Sequence, residues 1–147
     1  MNKVQKQPLS ETENQLKEKI TFYADKIDLF LNQINQIILD KDHQTKLALC
    51  SLLSGGHVLF EDLPGLGKTT LSSALSHLAG LQFQRIQFTN DMLASDVIGI
   101  NMFNQKEHQF EFKKGPIFTQ ILLADEINRC SPKTQSALLE AMEEGIV

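Results

Sequence analysis

Apolar residues recur along the first part of the chain at alternating steps of four and three: Leu16, Ile20, Tyr23, Ile27, Phe30, Ile34 and Ile37. That spacing draws a single stripe down an α-helix. Ser10 with Glu13 three positions later forms a capping-box pattern that predicts where the helix starts. The stripe is expected to pack on the chain's own core, with a coiled coil as the alternative for a repeat of three heptads. Asp40-Lys41-Asp42 interrupts it. A second helix is predicted from about Asp42 to Leu53, stopped by Gly55-Gly56.

From His57 the pattern changes to short apolar runs separated by helical segments, the signature of a sheet with crossover helices. His57–Glu61 reads as a strand, Lys68–Ala79 as a helix and Phe83–Phe88 as a second strand. Ile121-Leu122-Leu123-Ala124, followed by Asp125-Glu126, reads as a third strand buried on both faces. Between the last two, Gly99–Phe103 and His108–Phe112 flank a polar Asn104-Gln105-Lys106-Glu107, which predicts a projecting β-hairpin. A final helix is bounded by Ser131 as N-cap, Pro132 at its first position and Gly145 just past its end. The fold class is therefore α/β.

Composition narrows the setting. Among 147 residues, 41% are hydrophobic and 22% charged, with eight Gly and four Pro, as in an ordinary globular domain. No apolar run approaches the ~20 residues that span a bilayer. The polar start, Met1 to Pro8, lacks the apolar region of a secretory signal, so no membrane association and a cytoplasmic location are expected. Cys50 and Cys130 have no Cys-x-x-Cys partner, and His43, His57, His77 and His108 are scattered, so neither disulfide nor metal cage is expected. Residues 57–147 hold seven Lys/Arg against eleven Asp/Glu, which accounts for the net charge of −4. That balance disfavours broad nucleic-acid binding.

The chemistry-bearing residues stand at strand ends. Pro64-Gly65-Leu66-Gly67-Lys68-Thr69 falls between a predicted strand and a predicted helix, the context of a P-loop. Gly65 and Gly67 let backbone N–H groups turn toward phosphate oxygens, and the new helix's N-terminus favours the anion. Lys68 can reach the β- and γ-phosphates of ATP, and the Thr69 hydroxyl can ligate the Mg²⁺ that bridges them. Thr70 completes the candidate nucleotide-binding set with Pro64 and Leu66. Asp62 occupies the place where the strict motif has glycine, six residues before Lys68. The run ending in Asp125-Glu126 has the form of a Walker B motif, in which Asp125 holds Mg²⁺ and Glu126 accepts a proton from the attacking water. Acidic residues also follow strands simply as turn formers. Beside a P-loop the catalytic reading of Glu126 and Lys68 is the stronger.

These residues resemble the MoxR family of AAA+ ATPases. The similar segments are Gly56 through Thr69, Arg85-Ile86-Gln87-Phe88-Thr89, Ser95-Asp96-Val97-Ile98-Gly99, Gly115-Pro116-Ile117-Phe118, and Ala124-Asp125-Glu126-Ile127-Asn128-Arg129 through Pro132 to Glu144. The Glu61-Asp62 pair before the turn is familiar in that family. The resemblance implies a P-loop, Rossmann-like core with a parallel sheet, N-terminal helices and an inserted hairpin. It divides the chain into a polar leader over 1–10 and a partial nucleotide-binding domain over 11–147, with helices over 11–56 and the core over 57–147.

It further implies ATP and Mg²⁺ as ligands, a homo-oligomeric ring of AAA+ neighbours, often a hexamer, protein substrates for a chaperone-like remodeller, and von Willebrand A-domain partners. Phe103, Phe110 and Phe112 on the hairpin become candidate substrate contacts. Adenine is expected near Ile38 to Asp42, where Asp40 and Lys41 replace the family's usual Gly-Gln. Sensor 1, the arginine finger and the helical lid with sensor 2 do not occur in these residues. The chain thus reads as truncated, with little autonomous hydrolysis. In the family's sheet order the neighbours of the His57–Glu61 strand lie beyond Val147, so this strand is expected to lack both. The alternative function is a non-catalytic, nucleotide-binding interaction protein that joins AAA+ rings. A nucleic-acid motor of a related branch is disfavoured by the acidic balance.

Overall fold

The computed structural model describes residues 11–61 and 67–145. The leader with its Ser10 cap, the loop from Asp62 to Leu66, and Ile146-Val147 lie outside the described residues, so Pro64, Gly65 and Leu66 have no structural account here.

Three helices build the first part: α1 (Glu11–Asn35), α2 (Asp42–Leu53) and α3 (Lys68–Leu78). Leu31 and Ile34 from α1, Ala48 and Leu49 from α2, and Leu71 and Leu75 from α3 form one buried cluster, with Phe30, Ile38, Phe60 and Leu78 packed against it. Only the end of the α1 stripe enters that cluster. Leu16, Ile20, Tyr23 and Ile27 remain exposed, which corrects the expectation that the whole stripe packs on the chain's own core. Length explains this: at ~1.5 Å per residue, α1 runs about 37 Å, while the covering helices α2 and α3 run only about 18 Å and 17 Å.

The corner between α1 and α2 is held by polar contacts. Asn35 Nδ2 donates to Asp42 Oδ1 at 2.8 Å, and Lys46 Nζ donates to Asp42 Oδ2 at 2.7 Å. The bond from Lys46, helped by the one from Asn35, holds the Asp42 carboxyl below its ordinary range. Asp40 turns the chain at φ +59, a left-handed backbone in which a Cβ is strained. The position where the family's glycine is expected is thus one whose conformation favours glycine, and an aspartate stands there instead.

Strand β1 (Phe83–Gln87) pairs in parallel with β4 (Ile121–Asp125), Gln84 opposite Leu122 and Ile86 opposite Ala124. The predicted His57–Glu61 strand joins no ladder among the described residues. That corrects its assignment as a strand and agrees with the expected lack of neighbours. Instead Ser51 Oγ donates to the His57 carbonyl at 3.1 Å, Phe60 packs on the helical cluster, and Leu59 is exposed.

A second cluster lies on one face of the β1–β4 pair. Ile86, Phe88, Val97, Cys130 and Leu138 are buried there, with Met92, Ile117, Leu122, Ala124 and Ile127 beside them. The short helix α4 (Ala94–Ile98) and the last helix α5 (Pro132–Glu144) supply Val97 and Leu138. Ser131 caps α5 by accepting from the Thr134 N–H, with Pro132 at the first turn and Gly145 ending it at φ +64, as the sequence predicts. Because strand side chains alternate, Arg85, Gln87, Leu123 and Asp125 point to the opposite face. Helix α3 packs on both strands yet contributes nothing to the second cluster, so it lies on that opposite face too.

The predicted hairpin is β2 (Gly99–Asn104) with β3 (Gln109–Lys114), antiparallel, Phe103 opposite Phe110 and Asn101 opposite Phe112. Asn104 Oδ1 accepts the Lys106 and Glu107 N–H groups at 3.0 and 3.3 Å and so closes its turn. Its base is pinched: a Cβ at Gly99, whose φ is +117, would meet the Lys113 carbonyl at 2.3 Å, and one at Gly115 would meet that of Val97 at 2.2 Å. Only residues without a side chain allow this approach of two backbones.

Candidate nucleotide site

Two features converge on one end of the sheet. Helix α3 runs back toward the start of β1, so its N-terminus lies at the end where β1 and the parallel β4 finish. That N-terminus opens on Gly67, which sits at φ +83 and ψ 16 and offers no side-chain cap to the first-turn N–H groups. Those N–H groups have no partner within the helix and form the electropositive end of its dipole. Lys68 folds back here, its Nζ donating to the Phe60 carbonyl at 3.1 Å, and so ties the 57–61 segment to α3. The Lys68 carbonyl accepts from Ser72 Oγ at 3.0 Å, within the helix. Thr69 is half-buried and Thr70 exposed.

At the end of β4, Asp125 and Glu126 separate in conformation. Asp125 closes the strand opposite Gln87. Glu126 turns into the left-handed region at φ 56 and ψ 39 and starts the 3-10 turn Ile127–Arg129. A non-glycine residue held there is strained, and such strain concentrates where a side chain must be aimed. Glu126 is exposed, whereas Asp125 is half-buried.

Topology thus brings Gly67, Lys68, Thr69 and Thr70 to the same sheet end as Asp125 and Glu126. One partner escaped the sequence reading: Arg85 on β1 donates from Nη2 to Asp125 Oδ2 at 2.7 Å. Its only signal in the sequence is a cation on a strand that pairs with the acidic one. The candidate substrate contacts also share a surface, since Phe103, Phe110 and Phe112 lie on one face of the hairpin by alternation and register. Phe103 and Phe110 meet edge to face at 5.3 Å, and Phe112 meets Phe118 likewise at 5.7 Å. Phe110 nevertheless remains 73% exposed.

This fold and these motifs define a class, the P-loop ATPases. The family model of the ATPase family associated with various cellular activities (AAA) matches residues 57–147. The chain is 43% identical over 112 residues to the chaperone MoxR1 of Mycobacterium tuberculosis, covering 76% of this chain and 30% of that protein. It is 55% identical over 117 residues to the uncharacterized protein YeaC of Bacillus subtilis, covering 80% of this chain and 37% of YeaC. A crystal structure of a proposed ATPase from Cytophaga hutchinsonii superposes with a TM-score of 0.77 at 40% identity, covering 94% of this chain and 42% of the other. The chain belongs to the MoxR family of AAA+ ATPases. It spans about a third of the length of the curated relatives it matches.

Proposed function

We propose that this chain is the nucleotide-binding part of a chaperone-like MoxR ATPase that binds ATP with Mg²⁺ and hydrolyses it. What supports the reading is the topology, in which the α3 N-terminus at Gly67-Lys68-Thr69 falls at the same sheet end as the two carboxylates that close β4.

The residues present fit the ligands. The first-turn N–H groups behind Gly67, which itself offers no side-chain cap, favour an anion, and Pro64, Gly65 and Leu66 precede them in the sequence. Lys68 supplies a full positive charge for the β- and γ-phosphates, with Thr70 beside them. Thr69 and Asp125 would hold Mg²⁺, which supplies charge neutralisation between those phosphates. Glu126 takes the proton from the attacking water. The separate backbone conformations of Asp125 and Glu126 suit this division, one carboxylate paired and the other presented to solvent.

Around this centre the ATPase works in a ring of AAA+ neighbours on a protein substrate, with a von Willebrand A-domain partner, in the cytoplasm. Among the described residues no helix is long and apolar enough to cross a membrane. The exposed Phe103, Phe110 and Phe112 are the proposed contacts for the protein substrate. The test is nucleotide binding by calorimetry, with and without Mg²⁺, followed by steady-state phosphate release from the full-length protein. Failure to bind Mg·ATP removes the proposal; binding without phosphate release limits it to a nucleotide-binding role.

A further inference from the structure

Asp125 does not stand alone. Arg85 Nη2 lies 2.7 Å from Asp125 Oδ2 and 2.9 Å from Gln87 Oε1, so one guanidinium nitrogen spans two acceptors on adjacent strands. The register makes this a diagonal contact: Gln87 is directly opposite Asp125, while Arg85 is opposite Leu123. Arg85, Gln87 and Asp125 share the face on which α3 packs, so the cluster sits on the α3 side of the sheet. The contact uses one carboxylate oxygen. Among the described residues Asp125 Oδ1 accepts no hydrogen bond.

We propose that Arg85 is a positioning residue for the metal-binding carboxylate: it fixes Asp125 through Oδ2, with Gln87 steadying the guanidinium, and leaves Oδ1 for Mg²⁺ or a water bound to it. This rests on the nucleotide reading above. An unrestrained aspartate at a strand end samples several rotamers, and a divalent ion must then order it at a cost in affinity. A carboxylate held in advance by a planar donor has already lost that freedom. Partners one bond removed from a metal commonly carry a large share of its affinity for this reason. Arginine suits the position because its delocalised, weakly hydrated cation keeps one geometry where a lysine would act as a point charge.

The test uses the full-length protein and the Mg²⁺ dependence of ATP binding, read by a fluorescent ATP analogue against an EDTA baseline, with a thermal melt on each variant. Arg85→Gln should raise the Mg²⁺ concentration at half effect by about tenfold, the scale of lost outer-shell partners. Affinity in EDTA and the melting temperature should stay as in the parent. Arg85→Lys should recover part of the loss. Should Arg85→Gln fail to fold, Gln87→Leu tests the same unit, with a smaller shift in the same direction expected. An unchanged Mg²⁺ dependence in these variants overturns the assignment. A lower half-effect concentration overturns it too, since the guanidinium would then be competing with the ion. Absence of any Mg²⁺-dependent binding by the parent would instead remove the nucleotide reading, and this inference with it.

Discussion

The ring of His57 donates from Nε2 to the main-chain carbonyl of Met142, 3.0 Å away and 85 positions later in the chain. Met142 lies in the last turn of α5, where carbonyls lack partners within the helix and the dipole is negative. The segment that precedes the phosphate loop is thereby fastened to the last turn of α5, with no strand pairing among the described residues. His57→Ala should cost about 1 kcal/mol, the net worth of one such hydrogen bond. A urea melt would show it as a lower midpoint; an unchanged midpoint would mean that the contact holds nothing.

Lys68→Ala should abolish measurable Mg·ATP binding while the chain stays folded. The ammonium is the full positive charge of the loop facing several phosphate charges, and its bond to the Phe60 carbonyl is part-buried. Calorimetry decides the matter, and wild-type affinity in the variant would sink the phosphate-loop assignment.

Glu126 offers two substitutions with different consequences. Glu126→Gln in the full-length protein should keep nucleotide affinity and lose turnover, because the amide retains shape but cannot accept the proton. Glu126→Gly should lose turnover as well, yet gain about 0.5–1 kcal/mol of stability by releasing a strained left-handed backbone. Steady-state phosphate release and a melt on both variants separate the roles. Turnover retained by the Gln variant would remove Glu126 as the base.

Asp40 holds a second left-handed position, at φ 59 in the turn between α1 and α2. Asp40→Gly should raise the denaturation midpoint by an amount equivalent to about 0.5–1 kcal/mol, since the native φ no longer strains a Cβ. A loss on substitution would show that the aspartate side chain contributes more than its backbone costs.

At the base of the hairpin, Gly99→Ala would set a Cβ 2.3 Å from the Lys113 carbonyl, closer than any relaxed contact allows. We expect a loss of about 2–3 kcal/mol, at the upper end of ordinary single substitutions. Amide exchange across β2 and β3 should rise, and unaltered protection there would mean that the two backbones can move apart freely.

Legibility followed the range of the interaction that decides each feature. The ends of α5 were readable because Ser131, Pro132 and Gly145 act on their own neighbours. The hairpin was readable because Asn104 and a polar turn separate two alternating runs. What eluded the sequence was non-local. His57–Glu61 has a strand's composition, but a strand exists only when another lies beside it, and β1 and β4 pair with each other instead. The Arg85–Asp125 pair joins residues 40 positions apart, through a register that no local pattern encodes. Within the candidate site, Gly67, Lys68 and the two carboxylates stand in local motifs, while the bond from Arg85 to Asp125 does not.

The uncovered half of α1 has the thermodynamics of a peptide tethered to a protein. From Glu11 to about Ile27 its backbone bonds are backed by helix propensity and neighbouring side chains, with almost no burial to reinforce them. A lone helix of about 17 residues stands only just past the ~12–15 below which helices are marginal in water, so it is weakly held by itself. Its amides should therefore open separately from the rest of the fold, at a free energy well below global unfolding. Beyond Phe30, where burial begins, the same helix should exchange with the core. One continuous cylinder should thus behave as two cooperative units, with the boundary where the cover of α2 and α3 begins.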